Sequence, residues 1–82
     1  MKEILLKYGF NDLGICKVCH GHAWQYSKSV NGLYYQVKTF IRNTRQGIIE
    51  TGAGNMYLFN GKRIPVNINT LEQEIILRGL DK

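Results

Sequence analysis

The chain has 82 residues, 44% of them hydrophobic and 21% charged, which predicts one small folded domain and argues against disorder. Eleven Lys and Arg against six Asp and Glu give a formal net charge of +5, which favours a polyanionic partner such as nucleic acid. The longest apolar run near the N-terminus is three residues, too short for a signal peptide or a spanning helix. We therefore expect a cytoplasmic protein with no membrane partner, whose cysteines remain thiols.

The first predicted element is a short amphipathic helix in "KEILLKYGF". Ile4, Leu5 and Tyr8 have helical spacing, and Gly9 stands where the left-handed residue after a helix is usually glycine. Phe10 is then placed to fold back onto the last turn.

After this helix the hydrophobic pattern changes to a period of two, which predicts strands. Asn31-Gly32 suits a type I′ hairpin turn, and Asn60-Gly61 indicates a second hairpin. "NTRQG" and "GAGN" are interpreted as links between strands. The result is about five short strands in meander order, namely "HAWQYS", "LYYQVKTFIR", "IIET", "MYLF" and "KRIPV".

The last predicted element is a helix that ends at Gly79 and Leu80, in the same way as the first helix ends. Asn69 or Thr70 caps its start, and Asn69 with Glu72 has the spacing of a capping box. One side of this helix is predicted to carry Leu71, Ile75 and Ile76. The fold prediction is a single α+β domain over residues 1–82, an antiparallel meander covered on one face by two terminal helices.

The longest predicted strand has two different faces. Its core face carries Leu33, Tyr35, Val37, Thr39 and Ile41, and its other face carries Tyr34, Gln36, Lys38, Phe40 and Arg42. Sheets that bind single-stranded nucleic acid combine rings that stack on bases with cations that meet phosphates. We predict that Tyr34, Lys38, Phe40 and Arg42 bind nucleic acid, with Arg45, Lys62 and Arg63 extending the positive surface.

Two alternatives to nucleic-acid binding remain for this strand. Tyr34 and Phe40 could cover the second face of the sheet, with Lys38 and Arg42 as solvated side chains. An exposed aromatic strand can also dock a protein partner.

"ICKVCHGHAW" places Cys16, Cys19, His20 and His22 within seven positions. The C-x-x-C spacing is that of a zinc knuckle, and Cys16, Cys19 and His22 would supply three of the four ligands of a structural site. Alternatively, two chains would share one four-thiolate site and form a homodimer. "CKVCHGHA" resembles one C-x-x-C-x-G-x-G repeat of the DnaJ-type chaperone zinc region, with Ala23 in place of the final glycine.

Three other interpretations of the cysteine and histidine cluster were compared. C-x-x-C-H matches a haem attachment motif, but attachment of that kind belongs to exported proteins. A redox dithiol normally lies at a helix N-terminus, whereas a strand is predicted after Cys19. In the interpretation we favour, Cys16 and Cys19 fill small apolar spaces and His20 and His22 are exposed, so that no cofactor is expected and zinc is the alternative.

No arrangement in the sequence indicates catalysis or a small-molecule substrate. The six acidic residues are scattered, and "GAGN" leads into a strand, not into the helix N-terminus that would hold a phosphate. We therefore predict a small basic binding domain that is not an enzyme and that contacts nucleic acid. The alternative is a protein-interaction or homodimeric assembly module, with the sheet edge or the Cys–His loop as its contact surface.

Overall fold

The fold is an antiparallel sheet of five strands with a helix at each end of the chain. The computed structural model describes residues 1–18 and 21–82. The strands lie in the order β1-β2-β3-β4-β5, so each strand pairs with its neighbour in the chain. This arrangement confirms the predicted α+β meander. The elements are α1 (Lys2–Lys7), β1 (Asn11–Val18), β2 (Gly21–Val30), β3 (Leu33–Thr44), β4 (Gly47–Tyr57), β5 (Arg63–Asn67) and α2 (Leu71–Leu77).

Both helices end in the predicted way. Gly9 has φ +83°, and the Phe10 amide donates to the Leu5 carbonyl at 3.0 Å. Gly79 has φ +70°, and the Leu80 amide donates to the Ile75 carbonyl at 2.9 Å. These are Schellman motifs, in which glycine takes the left-handed position at low cost. The buried rings and methyl groups of Phe10 and Leu80 anchor the two ends in the core.

The two Asn-Gly turns differ in type. Asn31 (φ +53°) and Gly32 (φ +79°) form the expected type I′ turn between β2 and β3. The turn between β4 and β5 is one residue longer, since Leu58 and Lys62 face each other and the Gly61 amide donates to the Leu58 carbonyl. Gly61 (φ +85°) then supplies the left-handed residue of a three-residue loop.

Two strands differ from those predicted. Residues 11–18, for which the sequence predicted no strand, form β1. "IIET", "GAGN" and "MYLF" do not form two strands with a link, because residues 47–57 are one continuous strand, β4, which carries an irregularity opposite Thr39 and Ile41. The total of five strands is right, but the sequence predicted two strands in place of β4 and none in place of β1.

The core lies between the sheet and the two helices. We call the side of the sheet that meets the helices the helix face, which carries Tyr26, Tyr35, Val37, Met56 and Val66. Leu5, Phe10, Leu71, Ile75 and Leu80 pack against it from α1, α2 and the residues that follow each helix. Because both helices cover the same face, the opposite side of the sheet has no helix over it.

Two predictions for α2 are wrong. The helix begins after Thr70, but no side chain caps it, and the capping box of Asn69 with Glu72 does not form. Asn67 replaces it by accepting from the amides of Asn69 (2.8 Å) and Thr70 (3.1 Å). Ile76, predicted on the buried side, is 52% exposed, whereas Leu71 and Ile75 are fully buried as expected.

The helices cover only part of the helix face. Beyond them, Ile15 is 43% and Ile48 is 45% exposed, and both line a shallow pocket of about 370 Å³ with Ile41. We call these three residues the uncovered end. In the part of the chain that the structure describes, no helix combines the length and the apolar character needed to cross a membrane.

Candidate nucleic-acid interface

The side of the sheet opposite the helices, which we call the open face, is centred on β3. Tyr35, Val37 and Thr39 are buried on the helix face, as the alternation of β3 predicted. The alternate residues therefore lie on the open face, where Tyr34 is 50% and Phe40 is 46% exposed. Five residues of β3 share this face, namely Tyr34, Gln36, Lys38, Phe40 and Arg42.

Neighbouring strands complete the open face around Lys38. The register places Gln25 of β2 and Asn55 of β4 directly opposite Lys38, one on each side. Tyr57 lies opposite Gln36, and Arg63 of β5 lies opposite Tyr57. The Lys38 ammonium is 5.0 Å from the centroid of the Tyr57 ring, within the range of a cation–π contact. Aromatic, cationic and amide side chains are thus mixed over four strands, β2 to β5.

Sequence reasoning missed Gln25, Asn55 and Tyr57. Their face depends on the register of β2 and β4 against β3. Interpreting "GAGN" as a link placed Asn55 outside any strand and left the register of Tyr57, in the predicted strand "MYLF", undefined. The alternation of "HAWQYS" around Trp24 and Tyr26 was the available signal for Gln25. With β4 continuous, Asn55 and Tyr57 follow Lys38 and Gln36 across the ladder.

The structure brings part of the predicted set together. Lys38, Phe40 and Arg63 line one groove of about 770 Å³, together with Asn55 and Tyr57. The remaining predicted residues do not line this groove. Tyr34 and Arg42 lie towards opposite ends of β3. Arg45 and Lys62 are exposed in the β3–β4 and β4–β5 turns, respectively.

Among residues 1–18 and 21–82, no acidic side chain lies on the open face. Asp12 accepts from the indole N–H of Trp24 at 2.6 Å, and this hydrogen bond, with one from the Gly14 amide, holds the pKa of the Asp12 carboxyl below its usual value. Glu50 accepts from the hydroxyls of Tyr26 (3.0 Å) and Thr39 beneath the helices. The other four carboxylates belong to the helices or follow α2: Glu3, Glu72, Glu74 and Asp81.

Glu72 shows how the carboxylates are engaged on the helix side. It accepts from the Tyr8 hydroxyl at 2.8 Å and lies 3.3 Å from the Lys7 ammonium, so it joins the two helices. These contacts, the Tyr8 hydrogen bond first, lower the pKa of the Glu72 carboxyl. Within residues 1–18 and 21–82, no carboxylate forms an ion pair with Lys38, Arg42 or Arg63. The open face therefore has a positive charge that the protein does not neutralise.

Burial perturbs one tyrosine beneath the helices. Tyr26 is fully buried, and this burial, followed by its hydrogen bond to Glu50, raises the pKa of its phenol. The phenol therefore stays protonated and donates to the carboxylate. This group lies on the helix face and belongs to the stability of the domain.

Of the predicted zinc ligands, Cys16 and His22 lie on β1 and β2, whereas Cys19 lies outside the described residues, as does His20. Cys16 pairs with Ala23, and His22 pairs with Lys17. Since successive residues of a strand point to opposite faces, Cys16 is on the open face and His22 on the helix face. The described residues contain no cluster of three metal-ligating side chains. The set of Cys16, Cys19 and His22, with or without a second chain, stays a prediction.

No family model matches this chain, and comparison with curated proteins and with solved structures finds no match.

Proposed function

We propose that this protein binds single-stranded nucleic acid through the open face. The observation that carries the proposal is that exposed Tyr34 and Phe40 share a face of the sheet with Lys38, Arg42 and Arg63, and that the described residues place no carboxylate on this face. Rings of this kind stack on bases of any sequence, and neighbouring cations neutralise phosphates. A duplex does not suit the face, because its bases are already stacked on one another.

The dimensions of β3 suit a short stretch of single strand. Tyr34 and Phe40 are six residues apart on one strand, which corresponds to about 20 Å. Lys38 lies between them and Arg42 beyond Phe40, so cations alternate with rings along the same line. Binding would release counterions from the phosphates, and the affinity should fall steeply as salt rises.

The test is the double substitution of Lys38 and Arg42 by Ala, measured by fluorescence anisotropy with a labelled oligonucleotide over a salt series. Loss of two phosphate contacts should weaken binding and reduce the slope of log K against log salt by about 1.4. The matched control replaces Arg78 and Lys82, one arginine and one lysine at the C-terminal end, away from the open face, and removes the same charge. Binding by the Lys38 and Arg42 variant with an undiminished salt slope would show that the open face is not the binding site.

A protein-interaction or homodimeric assembly module is the second candidate. The specific observation for it is the uncovered end, where Ile15, Ile41 and Ile48 line a pocket of about 370 Å³ beside the edge strand β1. An apolar contact of this kind should persist at about 0.5 M salt, where phosphate contacts weaken. Native mass spectrometry before and after a chelator would report a dimer, and also any zinc that joins two chains. A monomer that binds no protein partner would count against this candidate.

A further inference from the structure

We infer that the open face discriminates between bases, through the side-chain amides of Gln25, Gln36 and Asn55. This inference rests on the proposed function, since it concerns the same surface and the same ligand. Stacking and phosphate contacts give affinity without sequence preference. The three side-chain amides are uncharged hydrogen-bonding groups, and their positions in the sheet would let them contact the edges of bases.

The amides lie beside the rings proposed to stack on bases and the cations proposed to contact phosphates. Gln25 and Asn55 are the two cross-strand partners of Lys38, and directly opposite residues of an antiparallel pair have Cβ atoms about 5 Å apart. Asn55 is also two residues from Tyr57 on the same face of β4. A base stacked on Tyr57 would therefore have its edge within reach of Asn55, while its phosphate meets Lys38.

Gln36 has the corresponding place on the other side of the same ring. It lies directly opposite Tyr57, and its amide nitrogen donates to the Tyr34 hydroxyl at 3.2 Å. That hydrogen bond joins Gln36 to the second ring, so Tyr34, Gln36 and Tyr57 form one polar and aromatic group. The carbonyl oxygen of this amide remains an acceptor for the amino group of a base.

All three amide side chains are half-buried, so each is partly accessible to a ligand on the open face. An amide carries a donor and an acceptor side by side, which matches the paired donors and acceptors on the edges of bases. A lysine or arginine on a phosphate makes the same contact whatever base follows. The open face thus separates two tasks: cations hold the backbone, and amides distinguish the bases.

The experiment compares labelled single strands of roughly 12 nucleotides, a length within the range one such sheet covers. The probes are oligo-dA, oligo-dC, oligo-dT and oligo-rU, each titrated over the same series of salt concentrations. Wild-type protein should prefer one base over the weakest by at least about fivefold, the lower limit for one bidentate contact. An oligo-dU probe, which carries the same base as oligo-rU, distinguishes RNA from DNA.

The variants are Gln36→Ala and Asn55→Ala, with Gln73→Ala as the matched control on the exposed side of α2. Each open-face variant should reduce the preference while the salt slope stays unchanged, and the control should alter neither. Gln36→Met and Asn55→Leu, which keep the approximate size of the side chain and remove the amide, replace the corresponding Ala variant if circular dichroism shows it to be unfolded.

The outcomes separate this inference from the proposed function. If wild-type protein binds none of the probes, the proposed function is wrong. If it binds all of them equally with a steep salt dependence, the proposed function stands and base discrimination is overturned. Variants that weaken every probe by the same factor would likewise overturn the role of the amides.

Discussion

The Lys28 side chain contacts both the end of α1 and the turn that follows α2. Its ammonium donates to the carbonyl of Tyr8 at the end of α1 and to that of Leu80 after α2. It also lies 5.9 Å from the centroid of the Phe10 ring. The last carbonyls of a helix have no partner within the helix and carry partial negative charge. One charged donor therefore satisfies the terminal carbonyl of α1 and joins it to the carbonyl of Leu80, in the turn that follows α2.

Replacing Lys28 by Met should lower the free energy of unfolding by about 1–3 kcal/mol, because two part-buried carbonyls lose a charged donor while the apolar stem is kept. Urea denaturation followed by circular dichroism measures the difference. Lys62→Met is the matched control, because Lys62 is exposed in the β4–β5 turn and its loss should matter by less than about 0.5 kcal/mol. Equal effects of the two substitutions would show that Lys28 does not hold the helix ends.

The ladder between β3 and β4 depends on a close approach of two backbones. A Cβ atom at Gly54 would lie 2.3 Å from the Lys38 carbonyl oxygen and 2.9 Å from the Thr39 Cα atom. Both neighbours are backbone atoms of the paired strand, so neither can move without shifting β3. Gly54 is therefore required where β4 passes its irregularity.

Gly54→Ala should destabilise the protein by more than about 2 kcal/mol, because the strands must separate to admit the methyl group. Gly32→Ala is the comparison, since space is open around Gly32 and only its positive φ opposes a side chain, at about 1 kcal/mol. Thermal unfolding of both variants gives the two values. A smaller loss at Gly54 than at Gly32 would contradict the close packing of β3 and β4.

The same element shows why sequence patterns located some parts of the fold and missed others. The two helix ends, the Asn31-Gly32 turn and the two faces of β3 follow from local chemistry, and the structure confirms them. The sequence did not predict β4 as one strand because its glycines are typical of a loop. In the structure, Gly54 instead allows the backbone of β3 to approach closely. The sequence did not predict β1 because the register shift between Asp12 and Gly14 interrupts the alternation of apolar and polar residues in this strand. Contacts between strands decide both cases, and a single segment does not contain them.

The candidate site was predictable to the same extent. Alternation in β3 alone identified Tyr34, Lys38, Phe40 and Arg42 as neighbours on one face. The amides of Gln25 and Asn55 belong to other strands, and only the pairing register places them beside Lys38. The position of the six carboxylates away from this face is likewise a property of the tertiary structure.

At the scale of the whole molecule, the two helices protect the sheet unevenly. Val37 and Met56 are fully buried beneath them, whereas Ile41 and Ile48 lie at the uncovered end of the same strands. Regions with fewer buried apolar contacts open at lower free energy than the core. The sheet should therefore have a stable half and a less stable half.

Native-state amide hydrogen exchange followed by NMR tests this unevenness. Hydrogen-bonded amides near Val37 and Met56 should exchange at least about tenfold more slowly than those of residues 41–48. The β2–β3 turn provides an internal comparison, because it also ends a hairpin but lies next to the helix-covered half. Uniform protection along β3 and β4 would show that the uncovered end opens only with the whole domain.

The meander order also has a consequence for how quickly the chain folds. Each strand pairs with the strand next to it in sequence, so every ladder forms by closing a short loop, which favours rapid folding. The contact between Tyr8 and Glu72 is different, because 64 positions separate the two residues and the sheet must form before both helices can pack on its helix face. We expect this contact to form after the rate-limiting step of folding. Its strength should therefore affect the unfolding rate and leave the folding rate unchanged.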